Sequence, residues 1–219
     1  MNPSEEELKR EITRVTRTLY QRGLINALEG NVSARIPGKD EFWITPSQVF
    51  KGDLKAGDLI KMNLRGEVLE GALKPSIEWR MHSAIYIARS DVNAVVHAHN
   101  PLVLALSLLG RELKNTLTLE SALLGRVGRV GFKLPGSGEL AEAVAEMARA
   151  GVKAIVLDRH GVVGLGATLV EAEAIVESLE SLALIEYICY SLGEEPRGIP
   201  GGVLESLWKF LDSTSRNRG

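Results

Sequence analysis

Residues 74–101, KPSIEWRMHSAIYIARSDVNAVVHAHNP, decide the fold and contain three of the chain's four histidines: His82, His97 and His99. Within this stretch, Asp91–His99 is rich in valine and alanine and ends at Asn-Pro, which predicts a buried strand. Because residues two apart project from the same face of a strand, His97 and His99 should point to the same side. We interpret the pair either as half of a preformed metal site or as two hydrogen-bonded histidines at a strand end.

The composition is that of an ordinary globular protein. Its 219 residues, 45% hydrophobic and 25% charged, predict one domain over residues 1–219, with a core at about 5–192 and a tail at 193–219. The formal net charge of −2, without a long basic run, argues against a nucleic-acid partner. We also expect no membrane span and no signal peptide, because neither apolar segment is evident. The single cysteine, Cys189, excludes an intramolecular disulfide, and we expect a cytoplasmic protein.

The residues before the central stretch predict a helix followed by strands. Ser4 and Glu7 form a capping-box pattern, and the helix that they begin should end near Gly23. Four strands follow, in two hairpins: Val32–Ile36, Phe42–Thr45, Leu59–Asn63 and Val68–Glu70. At the start of the first strand, Gly30 would let the backbone approach a ligand and Asn31 offers a donor and an acceptor. The same two residues would also suit a plain loop.

The later elements are predicted from apolar periodicity and from cap residues. Helices are expected at Glu78–Ala88, Pro101–Leu109, Glu139–Ala150, Thr168 to about Leu192 and Leu204–Leu211, and strands at Ala154–Leu157 and Val162–Leu165. The segment Leu113–Gly131 is mixed and receives no assignment. Ser76 would cap the first of these helices, with Glu78 in the first turn, where a carboxylate complements the helix dipole.

A third histidine completes a possible metal site. His160 follows a buried strand and precedes a glycine, so it should lie at the mouth of the sheet like His97 and His99. Three histidines match a catalytic zinc site with one position open, and the bound ion would be a strong Lewis acid. Glu78 would be the base beside the metal, and we expect burial to raise its pKa. His82 lies four residues later on the same helical face and is interpreted as a packing or positioning residue, not a fourth ligand.

Five motifs, in this order and at these spacings, resemble the class II aldolase/adducin family: GNVSAR, ITPS, KPSIEWRMH, VNAVVHAHNP and RHGVVGLG. The resemblance covers about residues 5–190 and is strongest to the L-fuculose-1-phosphate aldolase-like members. It implies a three-layer α/β fold with helices on both faces of a central, mostly antiparallel sheet. It also implies a homotetramer with active sites at subunit interfaces, for which Pro101–Leu109 and Leu204–Leu211 are candidate contacts.

The resemblance implies a role for each candidate site residue. Four residues would bind one Zn²⁺ per subunit in the substrate-free state: His97, His99, His160 and Glu78. Four residues would contact the phosphorylated sugar, the serines holding its phosphate: Gly30, Asn31, Ser47 and Ser76. The glutamate would leave the metal when substrate arrives and act as the acid/base. The implied reaction is reversible cleavage of a ketose 1-phosphate to dihydroxyacetone phosphate and an aldehyde through a metal-stabilised enediolate, and other divalent transition metals could replace zinc.

The chain departs from the fuculose-phosphate aldolase pattern at three places. Gln48 replaces a glycine, Ile77 replaces a second serine, and Leu117 and Thr118 lie where a loop tyrosine is found. A methylthioribulose-1-phosphate dehydratase-like enzyme would instead use Glu120 as its base; Glu120 could also be a surface acid at the subunit interface. A ribulose-phosphate 4-epimerase-like enzyme is a third reaction at the same metal. An adducin-type binding module without catalysis remains an alternative, although such a module has no need for an open metal site.

Overall fold

Eight strands form one sheet at the centre of this computed structural model, which describes residues 3–216 and their side chains to residue 209. The strands are β1 (Asn31–Arg35), β2 (Glu41–Ile44), β3 (Ile60–Asn63), β4 (Val68–Glu70), β5 (Ala94–Ala98), β6 (Val127–Val130), β7 (Ala154–Leu157) and β8 (Gly161–Gly166). Their order across the sheet is β4-β3-β2-β1-β5-β8-β7-β6, and only β6 and β7 pair in parallel. The predicted mostly antiparallel sheet is confirmed. The ends of the predicted domain, residues 1–2 and 217–219, lie outside the described residues.

Helices cover both faces of the sheet. The described residues form α1 (Glu5–Gln21), α2 (Trp79–Ala88), α3 (Pro101–Leu108), α4 (Leu119–Leu123), α5 (Gly138–Arg149), α6 (Leu169–Ser191) and α7 (Gly201–Arg216). On one face, α1, α3 and α6 bury a core that includes Ile12, Val96 and Val176. On the other face, α2 and α5 bury a second core that includes Ile85 and Val144. The three-layer α/β fold predicted from the family resemblance is therefore confirmed.

The alternation of side chains along β5 places the site on one face of the sheet. Val96 and Ala98 belong to the core under α1, α3 and α6, whereas Val95 belongs to the core under α2 and α5. Since side chains alternate along a strand, His97 projects toward the α2 face. The strand is buried on both faces, as its nearly unbroken apolar sequence predicts.

Several element boundaries differ from those predicted. The central strand begins at Ala94, because the preceding residues form a turn in which Val92 N–H donates to the Arg89 carbonyl. Helix α2 begins at Trp79, so Glu78 occupies the cap position and Ser76 is not the cap. The C-terminal helix is longer than predicted, since two backbone N–H groups of its first turn donate to a proline carbonyl before it.

The unassigned segment Leu113–Gly131 contains α4 and β6. Thr118 caps α4, where its side chain accepts a hydrogen bond from Ser121 N–H. The capping box predicted for α1 is confirmed by reciprocal hydrogen bonds between Ser4 and Glu7.

No helix among the described residues has both the length and the apolar character needed to cross a bilayer.

Candidate metal centre and substrate cavity

The end of β5 and the start of β8 bring three histidines together. The two strands are antiparallel, with His97 opposite Val163, so His160, just before β8, lies beside His97. His99 follows the last residue of β5. The three imidazole centroids lie 4.8 to 5.6 Å apart, and one nitrogen of each ring lies within 4.8 Å of the others. The predicted ligands are thus close enough to hold one metal ion.

A glycine makes this close approach of β5 and β8 possible. A Cβ atom on Gly161 would lie 2.2 Å from the Ala98 carbonyl oxygen and 3.0 Å from Cε1 of His97. The first distance is shorter than real Cβ contacts allow, and its partner is a backbone atom; the second is tighter than most real Cβ contacts. The glycine after His160 therefore keeps the two histidine-bearing segments at contact distance.

Glu78 lies against the imidazole cluster from the N-terminus of α2. Its Oε2 is 3.0 Å from His97 Nε2 and accepts a 3.1 Å hydrogen bond from Asn31 Nδ2, while its Oε1 is 3.4 Å from His160 Nε2. Asn31 reaches this carboxylate because β1 pairs with β5 and places Asn31 opposite His97. The side chain of Glu78 is only 5% exposed. The predicted acid/base residue and the predicted ligands therefore form one cluster, in which Glu78 and His97 are buried and His99 and His160 are partly buried.

The donor atoms of this cluster fit a divalent transition metal. Tetrahedral zinc with bonds of about 2.0–2.1 Å places its ligand atoms about 3.3 Å apart. Here His97 Nε2 is 3.1 Å from His99 Nε2, and the two nitrogen–carboxylate distances to Glu78 are 3.0 and 3.4 Å. Within the described part of the chain, Glu78 Oε1 and His160 Nδ1 are buried without a hydrogen-bond partner. Imidazole nitrogens with one carboxylate suit zinc well.

Two of the histidines have the tautomer needed for metal binding. The Nδ1–H of His97 donates to the Val162 carbonyl at 2.9 Å, and the Nδ1–H of His99 donates to Glu29 Oε2 at 3.1 Å. In the neutral form of each ring, this hydrogen bond places the proton on Nδ1 and leaves the Nε2 lone pair directed into the cluster. A carbonyl and a carboxylate behind the ring are the usual partners of metal-ligating histidines.

The three imidazoles of the cluster differ in charge. Burial acts to lower the pKa of His97, but the charge of the Glu78 carboxylate outweighs burial and raises that pKa. Burial, together with the neighbouring imidazoles, lowers the pKa of His99 to about 3 and that of His160 to about 4, so both rings are neutral at neutral pH. For Glu78, burial acts to raise the pKa, but the positive charge and hydrogen bond of His97 outweigh burial and lower the pKa below its ordinary value. The prediction that burial would raise the pKa of Glu78 is therefore wrong.

A chain of buried hydrogen bonds lies behind Asn31. His82 Nε2 is 2.5 Å from Asn31 Oδ1, His82 Nδ1 is 2.6 Å from Ser33 Oγ, and Ser33 Oγ is 2.7 Å from the Tyr86 hydroxyl. His82, Ser33 and Tyr86 are each no more than 1% exposed. Burial lowers the pKa of His82 to about 3, which keeps its ring neutral.

The donors and acceptors of this chain can be arranged in only one direction. Asn31 Nδ2 donates to Glu78, so Asn31 Oδ1 faces His82 and must accept from His82 Nε2–H. The other ring nitrogen then accepts from the Ser33 hydroxyl, which in turn accepts from Tyr86. His82 therefore fixes the orientation of the Asn31 amide, in agreement with its predicted placement outside the ligand set.

A cavity of about 560 Å³ opens beside the cluster. All four predicted substrate-binding residues line it: Gly30, Asn31, Ser47 and Ser76. Gly30 has a φ of +74°, and a Cβ there would lie 2.3 Å from Cγ2 of Ile25, so the backbone requires glycine at this position. An isolated bridge between Pro46 and Pro75 holds the two serine-bearing loops side by side. The structure thus gathers the predicted substrate residues at one opening.

The positions that depart from the family pattern lie around this cavity or away from it. Gln48 and Ile77 line the cavity, and Gln48 adopts a φ of +54°, a left-handed conformation that glycine adopts without strain. Leu117 packs against the hydrophobic core and Thr118 caps α4, so neither side chain replaces the acidic hydroxyl of the loop tyrosine. Glu120 is exposed in the first turn of α4 and is not among the described residues that line the cavity.

Three residues of the site were missed by reasoning from the sequence. Ser33 lies two residues after Asn31 on the same face of β1, a spacing that could have indicated it. Glu29 accepts a hydrogen bond from His99, 70 residues away, and no local pattern in the sequence indicates it. Lys51 is 1% exposed and lines the cavity, a position that lysine rarely occupies.

Comparison with known proteins points to one group of relatives. The family described as Class II Aldolase and Adducin N-terminal domain matches residues 10–187. The L-fuculose phosphate aldolase of Methanocaldococcus jannaschii is 35% identical over 175 residues, which cover 80% of this chain and 93% of that protein. The 5-methylthioribulose-1-phosphate/5-deoxyribulose-1-phosphate aldolase of Rhodospirillum rubrum is 35% identical over 187 residues, covering 84% and 82%. A solved L-fuculose 1-phosphate aldolase is 30% identical, with a TM-score of 0.84 and coverage of 96% of this chain and 98% of that one.

Proposed function

The chain belongs to the class II aldolase and adducin family and is a lyase of the aldolase type, and we propose that it reversibly cleaves a ketose 1-phosphate to dihydroxyacetone phosphate and an aldehyde. The observation that carries the proposal is the cluster of His97, His99, His160 and Glu78 beside a cavity lined by hydroxyl side chains. The relatives named for L-fuculose phosphate support an L-fuculose 1-phosphate-like substrate. The Rhodospirillum rubrum relative is named for two other ketose 1-phosphates. The substrate class that we propose for this chain is therefore a ketose 1-phosphate, which these relatives have in common.

The metal that we propose is one Zn²⁺ per subunit. His97, His99 and His160 would hold it, and Glu78 would be the fourth ligand before substrate arrives. When bound, such an ion supplies a Lewis acid for the carbonyl and the adjacent hydroxyl of the sugar. The three imidazoles leave its charge uncompensated, which suits it to an anionic substrate.

Glu78 would carry the proton. Its carboxylate is ionised and is held to two imidazoles by non-covalent contacts alone, so it can move away from the cluster without breaking a covalent bond. In the condensation direction it would take a proton from the carbon next to the carbonyl of dihydroxyacetone phosphate, and that proton would pass to the aldehyde oxygen, which becomes a hydroxyl as the carbon–carbon bond forms. In cleavage Glu78 would accept the proton of that hydroxyl as the bond breaks and return it to the carbon. Its burial keeps bulk water from competing for the same proton.

Asn31 would stabilise the negative charge that develops on the substrate. Its Nδ2 group, aimed by His82 at Glu78, is free to donate to a substrate oxygen once the carboxylate has moved. A donor that is already oriented does not have to reorganise during the reaction, which makes its electrostatic contribution large. Ser47 and Ser76, which line the same cavity, would donate to the phosphate.

We also propose the predicted homotetramer and cytoplasmic location. Exposed apolar side chains lie on α3, directly after it and on α6, among them Leu108, Leu109 and Ile188. Surfaces of this kind are common at subunit contacts. Of the C-terminal candidate contact, Trp208 is 42% exposed, and the side chains beyond residue 209 lie outside the described residues.

The test is condensation of dihydroxyacetone phosphate with small aldehydes by the zinc-loaded protein. Glu78→Gln should lower kcat by about 10²- to 10⁴-fold, the usual contribution of a general acid/base. Glu120→Gln is the matched control, because Glu120 is an exposed glutamate outside the cavity, and it should keep its activity. Zinc content is measured for both variants, so that loss of metal is distinguished from loss of the base.

The alternative reaction predicts a different pattern. If no aldehyde condenses, but a ketose 1-phosphate loses water in a reaction that Glu120→Gln abolishes, the protein is a dehydratase. We test this alternative because Leu117 and Thr118 lie where the fuculose-phosphate aldolases have their loop tyrosine. Protein that binds zinc and shows neither activity would contradict the aldolase proposal.

A further inference from the structure

The cavity needs a positive charge if it is to bind a phosphorylated sugar. A phosphomonoester carries a charge of roughly −1.5 to −2 at neutral pH, and charged donors bind it more strongly than neutral hydroxyls do. Of the two serines, Ser76 Oγ already accepts a hydrogen bond from Glu78 N–H. The substitution of Ile77 for a second serine removes one further hydroxyl from the family pattern. This inference therefore rests on the proposed ketose 1-phosphate substrate and asks which residue supplies the charge.

Lys51 is a buried cation directly beneath the two serine-bearing loops. It begins a short 3-10 helix, Lys51–Asp53, whose first backbone N–H donates to the Ala27 carbonyl at 2.9 Å. Its Nζ donates to the Pro46 carbonyl at 2.5 Å. Pro46 precedes Ser47 and forms the bridge to Pro75, which precedes Ser76. The ammonium group is thus held at the junction of the two loops while the side chain is 1% exposed.

The charge of this ammonium group has no counter-ion within the described residues. An ammonium group has three donors, and only one hydrogen bond is made by Nζ. Burial lowers the pKa of Lys51 to about 8, and no carboxylate acts to raise it. Lys61, another shielded lysine, contacts both Glu5 and Glu41 instead. A buried and unpaired cation is costly to a fold, and such groups are found where they serve a function.

We propose that Lys51, together with Ser47 and Ser76, forms the phosphate-binding part of the cavity and supplies its positive charge. The unused donors of Nζ would bind phosphate oxygens without a large movement of the side chain, because its position is fixed by the Pro46 carbonyl. Lys51 would then determine the preference for phosphorylated over unphosphorylated substrates.

Arg159 is the competing cation of the same cavity. It also lines the cavity, but its side chain is exposed and its charge is screened by solvent. Its φ of +58° places it in a left-handed turn beside His160. A charge in water contributes less to anion binding than a buried one at the same distance, so we assign the phosphate to Lys51.

The experiment compares dihydroxyacetone phosphate with dihydroxyacetone, using one aldehyde and zinc-loaded protein. Lys51→Met removes the charge and keeps the length of the side chain, and Lys51→Gln is a second variant in case methionine perturbs the loop. Both should raise KM for dihydroxyacetone phosphate about 10- to 100-fold, the value of one hydrogen bond to a charged group. For dihydroxyacetone, kcat/KM should change less than about twofold. Lys74→Met, which changes an exposed lysine beside the same loops, and Arg159→Met are the controls.

A binding measurement keeps this inference separate from the proposed activity. Inorganic phosphate should raise the melting temperature of the wild-type zinc-loaded protein and of Lys74→Met, but not that of Lys51→Met. If the wild type lacks aldolase activity and this pattern still holds, the phosphate site stands and the proposed reaction fails. If the wild type is an aldolase and Lys51→Met keeps its KM for dihydroxyacetone phosphate, Lys51 is only a structural residue. A loss confined to Arg159→Met would assign the phosphate to Arg159 and overturn the inference.

Discussion

The direction of the hydrogen-bond chain behind Asn31 predicts an unusual pattern of stability. Tyr86→Phe removes only the outermost donor, and the Ser33 hydroxyl still donates to His82. Tyr86→Phe should therefore lower the free energy of unfolding by about 1 kcal/mol, the net contribution of one hydrogen bond. Ser33→Ala removes the hydroxyl in the middle, which leaves His82 Nδ1 without a donor and the Tyr86 O–H without an acceptor, both of them buried. At about 1–3 kcal/mol for each unpaired group, this variant should lose about 2–6 kcal/mol.

The double variant distinguishes this account from simple loss of contacts. Once Ser33 is alanine, the Tyr86 O–H has no acceptor, so replacing Tyr86 with phenylalanine removes a buried donor that is unpaired. Tyr86→Phe should then be neutral or stabilising by about 1–2 kcal/mol in the Ser33→Ala background, although it destabilises the wild type. The free energy of unfolding is measured by urea denaturation of chelator-treated protein, followed by circular dichroism. An equal cost of Tyr86→Phe in both backgrounds would refute the directional chain.

Three further outcomes are expected. Gly161→Ala places a Cβ 2.2 Å from the Ala98 carbonyl and should reduce bound zinc at least tenfold by elemental analysis, whereas Gly57→Ala, at a glycine with open space around it, should not. Glu5→Gln should lower the free energy of unfolding by about 1 kcal/mol at pH 7, after discounting for solvent exposure, and should leave it almost unchanged at pH 2. The reason is that hydrogen bonds from lysine lower the pKa of Glu5 from 4.5 to about 2, so its contribution is present above pH 4.5 and lost as the pH falls to 2. Gln48→Gly removes the strain of a left-handed φ of +54° and should stabilise the protein by about 0.5–1 kcal/mol, seen as a higher melting temperature. An unchanged or lower melting temperature would contradict this.

The sequence was sufficient for those parts of the site that depend on local periodicity. The alternation of β5 places His97 and His99 on one side, and the position of His160 before a glycine places it at a strand end. The cap pattern of Ser4 and Glu7 likewise needs only four consecutive residues. In each case the physical cause acts over a few residues, so it can be recognised before the fold is known.

The parts that could not be predicted depend on contacts between distant segments. Ser33 is separated from His82 by 49 residues and from Tyr86 by 53, and no spacing in the sequence indicates those hydrogen bonds. The burial of Lys51 is opposite to what its residue type and polar turn suggest. The left-handed conformation of Gln48 is equally hidden, because the sequence shows only that a glycine of the family pattern is missing.

Glu78 shows why the sign of an electrostatic effect needs the fold as well as the sequence. A carboxylate in an apolar run suggests burial, and burial alone does act to raise its pKa. The fold adds what the run does not contain: His97 from β5, His160 from the turn before β8 and the amide of Asn31 from β1, all directed at the same two oxygens. Their combined effect is larger than that of burial, so the carboxylate remains ionised. In the proposed reaction it must therefore begin as a base, and it can return a proton to the substrate only after it has accepted one.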